Sequence, residues 1–265
     1  MSKPRPRSGG HQPATNRRPR PEALSELGGD QVEGRRAVLE LLETGRRTVR
    51  RVMVAEDQDA SPQLDRIEAL AAKLRVPLET VPYARLHGQA RTEAPQGVLA
   101  LARPVEPVPL EDLGAAAAAG GSPPFLLVAA GITDPRNLGA LLRSAECAGV
   151  TGVVLPRHRS ARLSPTVAKT AAGAIEHMRF AAVGGIPAAL TTLRDLGVWS
   201  IGLAAEAGQS LYDLPLGDGP VALVVGSEEK GLAPLVRRRC DALASIPQHG
   251  ALPSLNVGVA GAVAC

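Results

Sequence analysis

Two apolar runs constrain this chain most. Phe125 to Ala130 (FLLVAA) and Val221 to Val225 (VALVV) are strand-sized and nearly unbroken in hydrophobic residues. Each is followed by a loop of glycine and polar residues and then by a helical pattern. A strand with one wet face would alternate, whereas unbroken apolar runs suit parallel strands buried on both faces. The same spacing predicts strands at 152–155, 175–182, 199–204 and 242–246, and helices at 135–148, 164–172, 186–196, 232–239 and 254–264. The fold class is therefore α/β, with a mostly parallel sheet covered by helices on both sides. Ligands of such sheets bind beyond the carboxyl ends of the strands. The loops after 125–130, 221–226 and 242–246 are thus the candidate site.

Upstream, the pattern predicts a smaller α/β unit over residues 31–104. It has a helix in Val32–Glu43 following Gly34, a strand at Val49–Ala55, a helix at Pro62–Leu74 and strands at Val76–Val81 and Gly97–Ala102. The Pro-, Ala- and Gly-rich stretch 105–124 reads as a linker with a single helical turn. Residues 1–30 read as a disordered basic tail. Its first 20 residues hold six Lys and Arg and no acidic residue, so the +4 chain is otherwise slightly acidic. Such an arm can hold a nucleic-acid backbone or serve only for solubility.

Composition narrows the function further. No apolar run is long enough to span a bilayer, and the polar N-terminus lacks the apolar stretch of a signal peptide. Three widely spaced cysteines, Cys147, Cys240 and Cys265, suit a reducing, cytoplasmic setting and argue against a disulfide framework or a Cys-rich zinc site. Aromatic residues are 2% of the chain. That leaves little for stacking on single-stranded bases, so any RNA would be held through charge and shape.

The first loop, TDPRNLGALLR, starts a helix. Asp134 or Thr133 can cap it, Pro135 suits the first turn, and Leu138, Leu141, Leu142, Ala145 and Ala148 form the inward stripe. Gly139 permits close approach of another backbone. Asn137 and Arg143 lie off that stripe. They are either solvent-facing residues or a site in which a planar guanidinium grips phosphate. The second loop, VVGSEEKGL (Val224–Leu232), lacks the Lys-Ser/Thr of a Walker motif and the spacing of a dinucleotide fingerprint. The third, IPQHGALPSLNVGVA, gives Ser254 as the expected N-cap of a thin, small-residue helix, and leaves Asn256 unexplained. His249 reads as a surface histidine.

Together and in this order, the three loops resemble those of the SpoU (TrmH-type) RNA ribose 2′-O-methyltransferases. The carriers are Asn137, Gly139 and Arg143; Gly226, Glu228 and Gly231; and Ile246, Pro247, Ser254, Leu255 and Asn256. The match covers roughly residues 125–265. GRRAVLELL at 34–42 and PQGVLALARP at 95–104 resemble the small L30e-like substrate-binding domain of the ribosomal-RNA members. The resemblance implies a trefoil-knotted methyltransferase domain, a homodimer, RNA as partner and S-adenosyl-L-methionine as cofactor, with no metal. It implies catalytic roles for Arg143, Asn137, Glu228, Ser254 and Asn256. The cofactor would lie against Ala204, Gly226, Ile246, Leu255 and Asn256. Arg143 would grip the phosphate beside the target ribose and steady developing oxyanion charge.

The expected function is methyl transfer to a ribose 2′-hydroxyl in 23S rRNA. Close variants would act on tRNA or, like the thiostrepton-resistance enzymes, on an rRNA adenosine. A non-catalytic RNA-binding protein would be expected to lose Arg143 or Asn256, and both are present. A nucleotide-binding enzyme unrelated to RNA is a third possibility, countered by the basic tail and the order of the loops.

Overall fold

The structure, a computed structural model, describes residues 27–56, 58–59, 61–115, 123–252 and 254–265. Most of the expected basic tail, and residues 116–122 of the expected linker, lie outside that set.

Six strands form the larger sheet: β5 (Phe125–Ala129), β6 (Gly152–Pro156), β7 (Phe180–Val183), β8 (Trp199–Leu203), β9 (Val221–Val225) and β10 (Ala242–Ala244). Their order is β10-β8-β9-β5-β6-β7, and every pairing is parallel. The unbroken apolar runs occupy the middle, β5 beside β9, where both faces are dry. Leu127 and Ala129 face a core built with Leu138, Leu141 and Leu142 of α5 (Pro135–Cys147). Leu126 and Val128 face the opposite core, with Leu113 of α4 (Leu110–Gly114), Leu190 and Leu193 of α7 (Ile186–Asp195) and Val236 of α8 (Pro234–Arg239).

The smaller sheet has the order β1-β4-β2-β3, from β1 (Gln31–Glu33), β2 (Val49–Ala55), β3 (Leu78–Val81) and β4 (Val98–Ala102). It carries α1 (Arg35–Thr44), α2 (Pro62–Leu74) and α3 (Tyr83–Gln89). Val38, Leu41 and Leu42 of α1 share a continuous core with Ala171, Ala174 and Ile175 of the larger unit. Arg47 and Glu176 form a nearly buried ion pair across this seam.

Several elements differ from the sequence reading. The helix expected after Gly34 starts at Arg35, but Gln31–Glu33 before it form β1, a strand the sequence reading lacks, paired antiparallel with β4. The strand expected over 175–182 begins at Phe180. Gly173 (φ 91°) leads into a 3-10 turn at Ala174–Glu176, whose buried carboxylate is committed to Arg47. Ala148 is exposed and ends α5 rather than extending its stripe. The last helix, α9 (Val257–Ala264), starts later than expected and is capped by Asn256, not Ser254. The Asn256 Oδ1 accepts from the amides of Gly258 (2.9 Å) and Val259 (3.3 Å). A single amide oxygen thus satisfies two of the amides a helix start leaves unpaired. Helix α3 had no counterpart in the sequence reading.

Candidate active site

The three loops meet at the carboxyl ends of β5, β9 and β10. Asp134 caps α5 by accepting from the Arg136 amide at 2.7 Å, and Pro135 occupies the first turn. Gly139 lets α5 close on α6 (Pro165–Thr170): a Cβ there would lie 2.6 Å from Thr170 Cβ and 2.9 Å from the Val167 carbonyl. Gly258 and Gly261 do the same for α9, where a Cβ on Gly258 would meet Ala140 at 3.3 Å and one on Gly261 would collide with Leu141. Small residues therefore bring the start of α9 beside the start of α5, and Asn256 beside Asn137.

Glu228 closes the arrangement. Its Oε1 accepts from the Asp134 amide (3.3 Å) and from Asn137 Nδ2 (3.2 Å), and its Oε2 from the Thr133 amide (3.4 Å). Asn137 Oδ1 accepts in turn from Asn256 Nδ2 at 2.9 Å. The direction of this relay is determined by chemistry. A carboxylate only accepts, so Asn137 presents its amide nitrogen to Glu228 and its oxygen to Asn256. Asn256 then has its own oxygen left for the helix amides. The sequence had singled out Glu228, but nothing in it showed that two backbone amides of the first loop would hold the carboxylate.

Beside the relay lies an open cleft of about 290 Å³, lined among others by Ala204, Gly226, Glu228, Ile246, Ser254 and Leu255. Asn256 is a member of the relay and does not line the cleft. The loop after β9 folds back on itself through Ser227 and Gly231, whose amides and carbonyls pair at 2.9–3.0 Å. A side chain on Gly226 would collide with Gly231, so this turn needs the glycine. Leu203, Ala204, Ile246 and Leu255 give the cleft an apolar floor, and Glu206 and Glu228 give it carboxylates. The Arg237 side chain, hydrogen-bonded to Glu206, holds that carboxyl below its ordinary range.

Arg143 stands apart. It lies six residues beyond Asn137, about 9 Å along the helix and about 240° around it. It is exposed, has no hydrogen bond or ion pair among the described residues, and borders a different cleft with Arg36, Glu40, Glu146 and His177. The structure thus gathers Asn137, Glu228 and Asn256, places Ser254 on the cleft, and leaves Arg143 outside it within one chain. A larger hollow, lined by Arg46, Arg103, Arg179 and Phe180, opens at the amino end of β7, the wrong end of the sheet for a ligand site. Among the described residues no cluster of three or more His, Cys, Asp or Glu could hold a metal, and no helix is long and apolar enough to cross a membrane.

The family model of the SpoU rRNA methylases matches residues 124–265. The chain belongs to this family. A second model, the substrate-binding region of RNA 2′-O ribose methyltransferases, matches residues 31–108. A 23S rRNA (guanosine-2′-O-)-methyltransferase of Pseudomonas putida is 37% identical over 91% of this chain and 95% of its own. One from Xanthomonas axonopodis pv. citri is 40% identical over 88% and 92%. A crystal structure of an RNA 2′-O ribose methyltransferase superposes with a TM-score of 0.71 at 26% identity, covering 88% of this chain and 85% of that one.

Proposed function

We propose that this SpoU-family chain transfers a methyl group from S-adenosyl-L-methionine to a ribose 2′-hydroxyl of RNA, with 23S rRNA as substrate. The observation that carries the reading is the relay Glu228–Asn137–Asn256. It ties three separate loops to one cleft, in a chain whose relatives are named for this reaction along nearly their whole length.

The cleft fits the cofactor in chemistry. Its apolar floor suits a purine, and its charged lining is mixed, with Glu206, Glu228 and Glu229 beside Lys230 and Arg237. Ala204, Gly226, Ile246 and Leu255 would hold the cofactor largely through backbone groups, and Ser254 and Glu228 would border its reactive end. When bound, the cofactor supplies a methyl carried on positively charged sulfur. The chain must then place the 2′-oxygen in line with that methyl and favour loss of the hydroxyl proton. Asn137, held by Glu228 on one side and Asn256 on the other, orients the ribose. Arginine is a very poor base, with a pKa above about 12. The role that suits Arg143 is to grip the phosphate next to the target ribose and stabilise negative charge as it develops.

The separation of Arg143 from the relay favours a homodimer. Val259 and Val263 of α9 are 50% and 45% exposed, and Leu252 and Leu255 of the preceding loop are also exposed. A second copy covering this face would bring the outward side of α5, with Arg143, to the border between subunits. We further read residues 31–104 as an L30e-like substrate-binding domain, 105–124 as linker and 125–265 as a trefoil-knotted methyltransferase domain. Consistent with a knot, the chain leaves β10 at the sheet edge and returns to pack α9 against α5 near the sheet centre.

The test is methyl transfer from labelled S-adenosyl-L-methionine to unmodified large-subunit rRNA, with tRNA in parallel. The product is mapped by alkali resistance of the 3′ linkage. One resistant site in rRNA is the expected result; label in tRNA alone would overturn the substrate.

A further inference from the structure

The loop between β6 and α6 carries Arg157, His158, Arg159 and Arg162 within six residues, and no acidic residue follows until Glu176. All four are exposed. This run belongs to none of the three loops that form the relay and the cleft. A run of surface charge is ordinarily just solvated, but two features set this one apart.

The first is its mounting. Ser160 Oγ (3.1 Å) and the Ala161 amide (2.8 Å) both donate to the carbonyl of Ile132. The Leu163 amide donates to the Leu27 carbonyl at 2.8 Å, and the Leu163 side chain is fully buried. Arg159 itself adopts φ 59°, a left-handed conformation uncommon for a residue with a side chain. These side chains are thus carried on a pinned loop. The side chains of His158, Arg159 and Arg162 make no ion pair or hydrogen bond among the described residues.

The second feature is position. Ile132 directly precedes Thr133, whose amide donates to Glu228 of the relay. On its other side the loop touches Leu27 and Gly28, just ahead of the region matched by the substrate-binding model. It therefore bridges the amino-terminal unit and the mouth of the candidate site, at the carboxyl end of the strand next to β5.

We propose that the Arg157–Arg162 loop grips the sugar-phosphate backbone of the substrate RNA beside the target nucleotide. This rests on the reading of the chain as an RNA methyltransferase and adds the surface that holds its substrate. Guanidinium groups bind phosphate oxygens with a planar fork and read no sequence. The contact would supply affinity, leaving base recognition and placement of the target ribose elsewhere.

The test compares the full-length chain with the double variant Arg159→Asn/Arg162→Gln, and with Arg159→Lys/Arg162→Lys. Asparagine tolerates the left-handed backbone at 159, and thermal unfolding checks that the variants fold. Binding of an unmodified 23S rRNA transcript is measured from about 50 to about 200 mM salt, where each phosphate contact contributes about 0.7–0.9 to the logarithmic salt slope. Calorimetry reads S-adenosyl-L-methionine binding separately. The neutral variant should bind RNA at least about tenfold more weakly, with a salt slope reduced by roughly 1.4–1.8. Its cofactor affinity and its rate at saturating RNA should be unchanged, and the lysine variant should recover most of the binding. An unchanged Kd and salt slope in a folded, cofactor-binding variant would overturn the proposal. So would a defect confined to cofactor binding or to the rate at saturation. A wild-type chain that neither binds rRNA nor methylates it would overturn the functional reading itself, and is told apart by the wild-type control.

Discussion

The seam between the two sheets and the relay at the strand ends are both built from charged and amide side chains, but they differ in what is left over. At the seam, Arg47 donates to both Glu176 oxygens and to the carbonyls of Gly29 (2.6 Å) and Arg103 (2.8 Å). The Glu176 side chain is 2% exposed and that of Arg47 10%. Nearby, buried Glu33 accepts from Gln31, from the amides of Arg91 and Thr92, and from the Thr92 hydroxyl. Among the described residues no buried side-chain polar atom lacks a partner. At the relay, Glu228 and Asn256 are exposed, and the bonds to Glu228 run from 3.2 to 3.4 Å. A buried, saturated network has no capacity for a ligand, and breaking it leaves a charge stranded. An exposed network with long bonds can exchange partners for substrate at little cost in stability.

The largest expected effect lies outside both networks. Arg143→Ala removes an exposed guanidinium that makes no hydrogen bond or ion pair among the described residues. Transfer to rRNA should fall by about 10²–10³-fold or below detection, while cofactor binding by calorimetry and the thermal midpoint stay near wild type. Equal loss of cofactor binding and transfer would sink the phosphate-clamp role.

Glu176→Ala should have the opposite signature. Leaving Arg47 buried without its carboxylate should cost about 3–5 kcal/mol, read by urea denaturation. The loss should appear in both units together, because they share one core. Transfer per folded molecule should barely change. If the variant unfolds in two separate steps, the seam is not the joint described here.

Next comes the relay itself. Asn137→Ala should lower transfer by up to about 10²-fold through misplacement of the ribose, with a stability change within about 1 kcal/mol. A stability loss as large as that of Glu176→Ala would erase the distinction between the two networks and make the relay a structural device.

How much of this could be read from the sequence depended on what each feature rests on. The unbroken runs at 125–130 and 221–225 identified the sheet centre, because burial on both faces leaves a compositional mark. Cap chemistry at Asp134 and Pro135 was equally plain, being local. The strand at Gln31–Glu33 was not, since two of its three residues are polar and are buried only by partners about 60 residues away. The relay was half legible. Its residues stood out by resemblance, but the pairing of Asn137 with Asn256, 119 residues apart, is a tertiary fact. The same limit explains Ser254. By local rules it is a good cap, and it loses to Asn256, whose side chain can cap α9 and reach Asn137 at once. The basic loop at 157–162 could have been noticed as a charge run, but its significance comes from the hydrogen bonds that mount it.

The smallest effect tests that dual duty. Asn256→Ala removes the cap and should cost about 1 kcal/mol. Asn256→Asp keeps an oxygen for the amides of Gly258 and Val259, so the helix should retain most of its stability. It also replaces the amide nitrogen that donates to Asn137 Oδ1 with a second oxygen. Asn137 cannot resolve the clash by flipping its amide, because its oxygen would then face the Glu228 carboxylate. A negative charge added within the relay should therefore cut transfer at nearly unchanged stability, whereas Asn256→Ala should lose some of both. If Asn256→Asp transfers methyl as wild type does, the hydrogen bond between the two asparagines is incidental, and Asn256 joins the seam residues as structure.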